Sequence, residues 1–233
     1  VIFICFLIKS SFEIPWKIFD FSSENTLLSS IFNLGINFFL DAIAIGFSTF
    51  IIVAACEKLY RNLLPDSLSF SNLFNVDCCT SKLFFNNYLA GIVFSFFILV
   101  FTAIYYHILS VSGFYIAYPY IDFNDMLTFN PLVYLITTAI TSSFKPIIIY
   151  VFLVLILYLI SNSKIISVFL SSLLLCFEGV LDIDPVYMGT IYLFIVGLAS
   201  GYMLFKYGIL SLLVSAFSVF IFSDFFLYLY TGQ

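Results

Sequence analysis

Two charged residues lie inside long apolar stretches of this chain, and their types could support ion or proton chemistry. Asp41 falls within the apolar residues 27–56, and Lys145 falls within the apolar residues 131–160. A charge at the centre of a membrane helix costs roughly 2.5–3.5 kcal/mol or more, so such residues commonly mark ion pairs, relays or ligand sites. Asp41 and Lys145 are therefore the first candidate site residues.

Neutral polar residues extend each charge into a stripe along one helix face. Positions three, four, seven or eight residues apart lie on the same side of an α-helix. The stripe on the first segment consists of Asn33, Asn37 and Asp41. The stripe on the second segment consists of Thr138, Thr141, Ser142 and Lys145.

The two charges also share a predicted depth. If both helices start at one membrane surface, Asp41 and Lys145 each lie 14 residues into a helix, which is about 21 Å. We therefore predict a buried pair that lines a common polar interior, with a structural or relay role. The alternatives for the charges are snorkelling, contact with lipid head groups and pairing with another chain. The neutral residues could simply join helices.

The composition identifies the elements that must position these residues. The chain has 233 residues, of which 63% are hydrophobic and only 9% are charged, whereas soluble domains carry about 25% charged residues. Several apolar stretches are long enough to cross a bilayer, and the alternating pattern of a membrane barrel is absent from the sequence. The sequence therefore predicts an all-α, polytopic transmembrane helix bundle that forms a single domain over residues 1–233.

We predict six spans, preceded by a partial helix over residues 1–8 and a candidate interfacial segment over residues 9–26. The predicted spans cover residues 27–56, 83–109, 131–160, 165–181, 185–206 and 208–229. Pro146 predicts a kink in the third span. The alternative is a break near residues 142–146, followed by a re-entrant half-helix.

Basic residues predict the orientation, because they accumulate on the cytoplasmic side of membrane proteins. One side of the predicted bundle holds Lys58, Arg61, Lys82, Lys164 and Lys206. The connections on the other side contain aspartates and no lysine or arginine, apart from Lys9 and Lys17 near the N-terminus. We expect the Lys58/Arg61/Lys164/Lys206 side to face the cytoplasm or the matrix, in a bacterial inner membrane or an organellar membrane. A break in residues 131–160 would place Lys164 and Lys206 on the opposite side of the membrane from Lys58 and Arg61. The asymmetry of the basic residues therefore favours one continuous span.

Gly197, Gly201 and Tyr202 lie in one predicted helix, and Tyr207 and Gly208 form the turn before the last helix. Through this frame, residues 131–220 resemble the CAAX-protease and bacteriocin-processing (CPBP) family of membrane proteases. In that family a Gly-x-x-x-Gly-Tyr helix precedes a tight turn and a terminal helix. Independently of the family, Gly197 and Gly201 form a GxxxG pattern that predicts close helix packing.

The catalytic motifs of that family are missing from this chain. The region that matches Glu-Glu-x-x-x-Arg reads SSFKPIIIY, without a glutamate or an arginine. Leu181 follows Phe177 where Phe-x-x-x-His requires histidine, and Ala216 and Phe217 occupy the place of the histidine on the last helix. The resemblance therefore implies a protease-dead member.

The functional prediction is a non-catalytic multi-pass membrane protein, because the sequence shows no pairing of a nucleophile with a base. It is either a protease-dead CPBP-like protein or a structural subunit of a larger membrane complex. The alternative is a small transporter or an ion- or proton-translocating subunit that uses Asp41 and Lys145. We expect no cofactor and no metal, since the single His107 and the five cysteines lack ligand spacing. The expected partners are the lipid bilayer and other membrane subunits, and not nucleic acid.

Overall fold

The bundle consists almost entirely of helices. The computed structural model describes residues 2–19, 27–65, 68, 78, 80–113, 115–116, 131–178, 183–184 and 186–231. Within these ranges the elements are α1 (Ile2–Phe19), α2 (Leu27–Leu63), α3 (Lys82–Val111), β1 (Tyr115–Ile116), α4 (Pro131–Ser161), α5 (Lys164–Glu178), β2 (Ile183–Asp184), α6 (Val186–Tyr207) and α7 (Ile209–Thr231). The strands β1 and β2 form one short antiparallel pair. The predicted all-helical bundle is confirmed.

Four helices in the described part of the chain are long and apolar enough to cross a membrane. These segments are Ile31–Leu63, Lys82–Val111, Val133–Ser161 and Tyr187–Tyr207. Two shorter apolar segments accompany them, Lys164–Cys176 and Ile209–Ser223. The chain therefore has the build of a membrane-embedded helical protein. The 15 residues of α5 extend only about 22 Å, which is less than the roughly 30 Å of a bilayer core.

The helix α4 runs without a break through Pro146. Pro146 removes the backbone hydrogen bond to the carbonyl of Ser142, and the helix continues past this position to Ser161. The alternative with a re-entrant half-helix near residues 142–146 is therefore not what the structure shows.

The helix α1 continues past residue 8, where the sequence predicted the partial helix to end. Lysine has a good helix propensity, so Lys9 does not stop the helix, which runs to Phe19 and packs against α2 and α4. The ring of Phe3 lies 6.3 Å from that of Phe39. Residues 9–19 of the predicted interfacial segment belong to this helix, and residues 20–26 lie outside the described residues.

Contacts between aromatic side chains and backbone bring five helix ends together. The hydroxyl of Tyr60, near the end of α2, accepts a hydrogen bond of 3.1 Å from the N–H of Ile209, where α7 begins. The ring of Tyr158, near the end of α4, lies 5.4 Å from that of Phe205, near the end of α6. Lys164, which begins α5, also lies over the Phe205 ring. The helices α2, α4 and α6 therefore end where α5 and α7 begin.

The helix α3 begins at the same end of the bundle. A Cβ atom on Gly91 would lie 2.6 Å from the carbonyl oxygen of Ser211, and the ring of Phe96 lies 5.2 Å from that of Phe222. Because the later residue of α3 contacts the later residue of α7, the two helices run parallel. The end where they start, which we call the basic end, holds Lys58, Arg61, Lys82, Lys164 and Lys206.

This arrangement predicts opposite accessibility for the two ends of the bundle. Ser112 follows α3 at the end away from the basic end, and Asn162 follows α4 at the basic end; both are exposed. With the native cysteines replaced, Ser112→Cys and Asn162→Cys should react with an impermeant thiol reagent from opposite sides of sealed vesicles. Permeabilised vesicles supply the control for reactivity. Labelling of both positions from one side would contradict the arrangement.

Candidate functional site

The structure does not pair Asp41 with Lys145. Both side chains are exposed on the surface of the chain. No ion pair joins them among the described residues, where Arg61 and Glu57 form a salt bridge of 2.6 Å on α2. The predicted buried pair is therefore not formed within the chain.

The register between α2 and α4 explains the difference. The thiol of Cys56 contacts the carbonyl oxygen of Ile148 at 3.7 Å, so these residues lie at one level. Asp41 precedes Cys56 by 15 residues and Lys145 precedes Ile148 by 3. Because α2 and α4 run in the same direction, the charges are offset by 12 residues, about 18 Å along the axes. The predicted depth assumed that both helices start at one level, whereas α2 starts about three turns further from the basic end.

The stripe on α2 faces away from the rest of the chain. Asn33, Asn37 and Asp41 are all exposed, whereas Phe38 and Ala42 are buried. The main contacts of α2 are with α1 and α4. The chain therefore presents two amides and a carboxylate, on one face of a membrane-length helix, to whatever surrounds it.

The stripe on α4 lies closer to the bundle but does not meet the stripe on α2. Thr138, Thr141 and Ser142 are half-buried. The Thr138 hydroxyl oxygen is buried and has no hydrogen-bond partner in the described part of the chain. The more deeply buried polar residues of α4 are Thr137 and Ser143, which fall outside the predicted stripe. The predicted common polar interior of the two stripes is therefore not formed.

The helix α1 places a different lysine closer to the level of Asp41. Phe3 packs against Phe39 and Gly46, and only seven residues separate α1 from α2, so the two helices must run antiparallel. Lys9 then lies roughly 7 Å from Asp41 along the helix axes. The structure has no ion pair between them in the described residues.

A cluster of hydroxyl groups joins α4, α5 and α6, and sequence patterns alone did not reveal it. Tyr150 Oη donates a hydrogen bond of 2.6 Å to the carbonyl of Gly197. A Cβ atom on Gly197 would lie 2.9 Å from Ser172 Oγ, and one on Gly201 would lie 2.8 Å from Tyr150 Oη and closer still to Val168. The GxxxG pattern was the available signal for this close contact. Nothing in the sequence distinguished Tyr150 from the other tyrosines.

The geometry of this hydroxyl cluster indicates a role in helix packing and not in catalysis. Ser172 Oγ donates to the carbonyl of Val168 at 2.7 Å, and Ser171 Oγ donates to the same carbonyl at 3.0 Å. Each serine hydroxyl is therefore satisfied by the backbone of its own helix, and among these three residues Tyr150 alone bonds to another helix. The described residues contain no group of three or more histidine, cysteine, aspartate or glutamate residues that could hold a metal ion.

No protein-family model matches the sequence, and no curated protein or solved structure matches it either. The candidate functional residues are two exposed charges at different depths and a hydroxyl cluster at the contact of three helices.

The close contact at Gly201 predicts a sharp difference between two glycine substitutions. Gly201→Ala would place a methyl group against Val168 and Tyr150, and we expect the free energy of unfolding to fall by roughly 1–3 kcal/mol. Gly35 has no atom within 4 Å of an added Cβ, so Gly35→Ala should leave stability unchanged or raise it by up to about 1 kcal/mol. Unfolding of both variants in the same detergent measures the two changes in the free energy of unfolding. Equal decreases for Gly201→Ala and Gly35→Ala would contradict the packing at Gly201.

Proposed function

We propose that this chain is a non-catalytic multi-pass membrane protein that acts as a structural subunit of a larger membrane complex. The observation that supports this proposal is the exposed stripe of Asn33, Asn37 and Asp41 on α2. It lies on a helix that is long and apolar enough to span a membrane. In the isolated chain, no described helix covers these groups.

The energetic cost of such a stripe supports a protein partner. Hydrocarbon offers no hydrogen-bond donors or acceptors, so polar groups in a membrane face the bundle interior, a water-filled cavity or another helix. Asn33, Asn37 and Asp41 share one face, so one helix lying along α2 could contact all three. The partner face would carry hydrogen-bond donors, and a lysine or arginine opposite Asp41 would also compensate its charge.

The resemblance to the CPBP family supplies a second form of the same non-catalytic proposal. In the structure, Gly197 and Gly201 lie against α5, and Gly208 ends α6 in the left-handed region with φ of 80°. Glycine is the residue that adopts this conformation readily at the end of a helix. A protease-dead relative would keep such a frame while its former catalytic positions hold other residues, and it could act by binding a partner.

The alternative function, a transporter or an ion- or proton-translocating subunit, would need Asp41 and Lys145 to exchange charge. Their axial offset of about 18 Å does not support a direct transfer.

The basic end supports our further proposal about orientation. Because basic residues favour the cytoplasmic side, we propose that this end faces the cytoplasm or the matrix, in a bacterial inner membrane or an organellar membrane.

The proposal predicts a protein neighbour at the stripe. A photo-crosslinking residue at Asn37 should give a discrete protein adduct in native membranes, and Asp41→Leu should reduce that adduct. The purified chain should unfold at an unchanged temperature after Asp41→Leu, because Asp41 has no ion-pair partner in the described chain. The mass of the adduct distinguishes a second copy of this chain from a different subunit.

The matched control is Val93, an apolar residue on α3 that is 62% exposed. The same crosslinker at Val93 should give lipid adducts alone. Lipid adducts alone at Asn37 as well would overturn the subunit proposal. Ion flux through vesicles that contain only the purified chain, abolished by Asp41→Leu, would favour the transporter instead.

A further inference from the structure

A groove of about 460 Å³ opens between α5 and α6 at the basic end. Its lining combines two lysines, two aromatic residues and three aliphatic residues. They are Lys164, Ile165, Val168, Leu198, Tyr202, Phe205 and Lys206. None of these residues belongs to the stripes or to the proposed contact on α2.

The mouth of the groove is positively charged. Lys206 Nζ donates a hydrogen bond of 2.9 Å to the hydroxyl of Tyr202, and Lys164 Nζ lies 5.5 Å from the centre of the Phe205 ring. No carboxylate in the described part of the chain forms a salt bridge with either lysine. Lys164 is also the first residue of α5, where the free N–H groups of the helix add partial positive charge.

The deeper part of the groove is apolar. Leu198 precedes Lys206 by eight residues on α6, which places it roughly 12 Å further into the bundle. Val168 forms the floor where it packs against Gly201. Ile165 is 83% exposed and continues this apolar surface to the edge of the groove.

We propose that this groove binds one anionic phospholipid. Its phosphate would lie between Lys164 and Lys206, each of which still has ammonium N–H donors to offer. The part of one acyl chain nearest the head group would lie along Ile165, Val168 and Leu198. Basic pockets between membrane helices at the cytoplasmic or matrix surface recognise anionic head groups in this way.

The combination of charge and apolar surface selects the ligand. A zwitterionic lipid carries its own cation and gains less from two uncompensated lysines. Inorganic phosphate has the charge but cannot use the aliphatic floor. An anionic phospholipid uses both parts of the groove.

Native mass spectrometry of the purified full chain tests the proposal. The chain is released from micelles that contain equal amounts of phosphatidylglycerol and phosphatidylcholine, and the bound lipid is identified by mass. We expect one retained phosphatidylglycerol. The double variant Lys164→Gln/Lys206→Gln should lower its retention by about 25-fold, since each lysine contributes about a factor of five. Lys164→Arg/Lys206→Arg should restore it.

The matched control is Lys58→Gln/Lys82→Gln, which removes the same charge from exposed residues at the basic end outside the groove. It should retain the lipid. Equal loss in both double variants, or equal retention of the two lipids, would overturn the proposal. Displacement of the lipid by inorganic phosphate at equal concentration would also overturn it, because the site would then bind phosphate alone. Unfolding temperatures of all variants establish that each is folded.

Discussion

The packing of α2 against α4 determines which polar residues of this chain can meet. The contact between Cys56 and Ile148 fixes the level of one helix against the other, and Tyr60 ties the end of α2 to the start of α7. With this register, Asp41 lies about 18 Å further from the basic end than Lys145 does. An ion pair needs its charged atoms within about 4 Å, so Asp41 and Lys145 cannot form an ion pair with each other.

The chain satisfies several polar groups between its helices and leaves others, including the buried Thr138 hydroxyl, without a partner in the described residues. Inside, the hydroxyls of Tyr150, Ser171 and Ser172 donate to backbone carbonyls, so these donors are not exposed to hydrocarbon. Of these three bonds, the one from Tyr150 to Gly197 joins two helices, α4 and α6. Outside, the polar stripe on α2 and the lysines at the groove form no salt bridge in the described residues. We propose another membrane subunit for the first surface and an anionic lipid for the second.

Hydrophobic length predicted the helices well, because a membrane helix must bury about 20 apolar residues and its ends are marked by polar ones. The predicted span 131–160 became α4 (Pro131–Ser161), and the predicted span 185–206 became α6 (Val186–Tyr207). The relative levels of the helices could not be predicted, since they depend on side-chain contacts between distant segments. The GxxxG pattern indicated a close contact, but nothing indicated that Tyr150 would bond to Gly197 across it.

The distance between residues 41 and 145 tests the register most directly. Nitroxide labels at Asp41→Cys and Lys145→Cys, in a chain whose native cysteines have been replaced, give this distance by pulsed electron paramagnetic resonance. The axial offset and the 8–10 Å between packed helix axes predict a backbone separation of roughly 20 Å, and therefore a resolved distance distribution at or above that value. Strong dipolar broadening, of the kind given by two labels in contact, would show that the two residues share one level and would contradict the account.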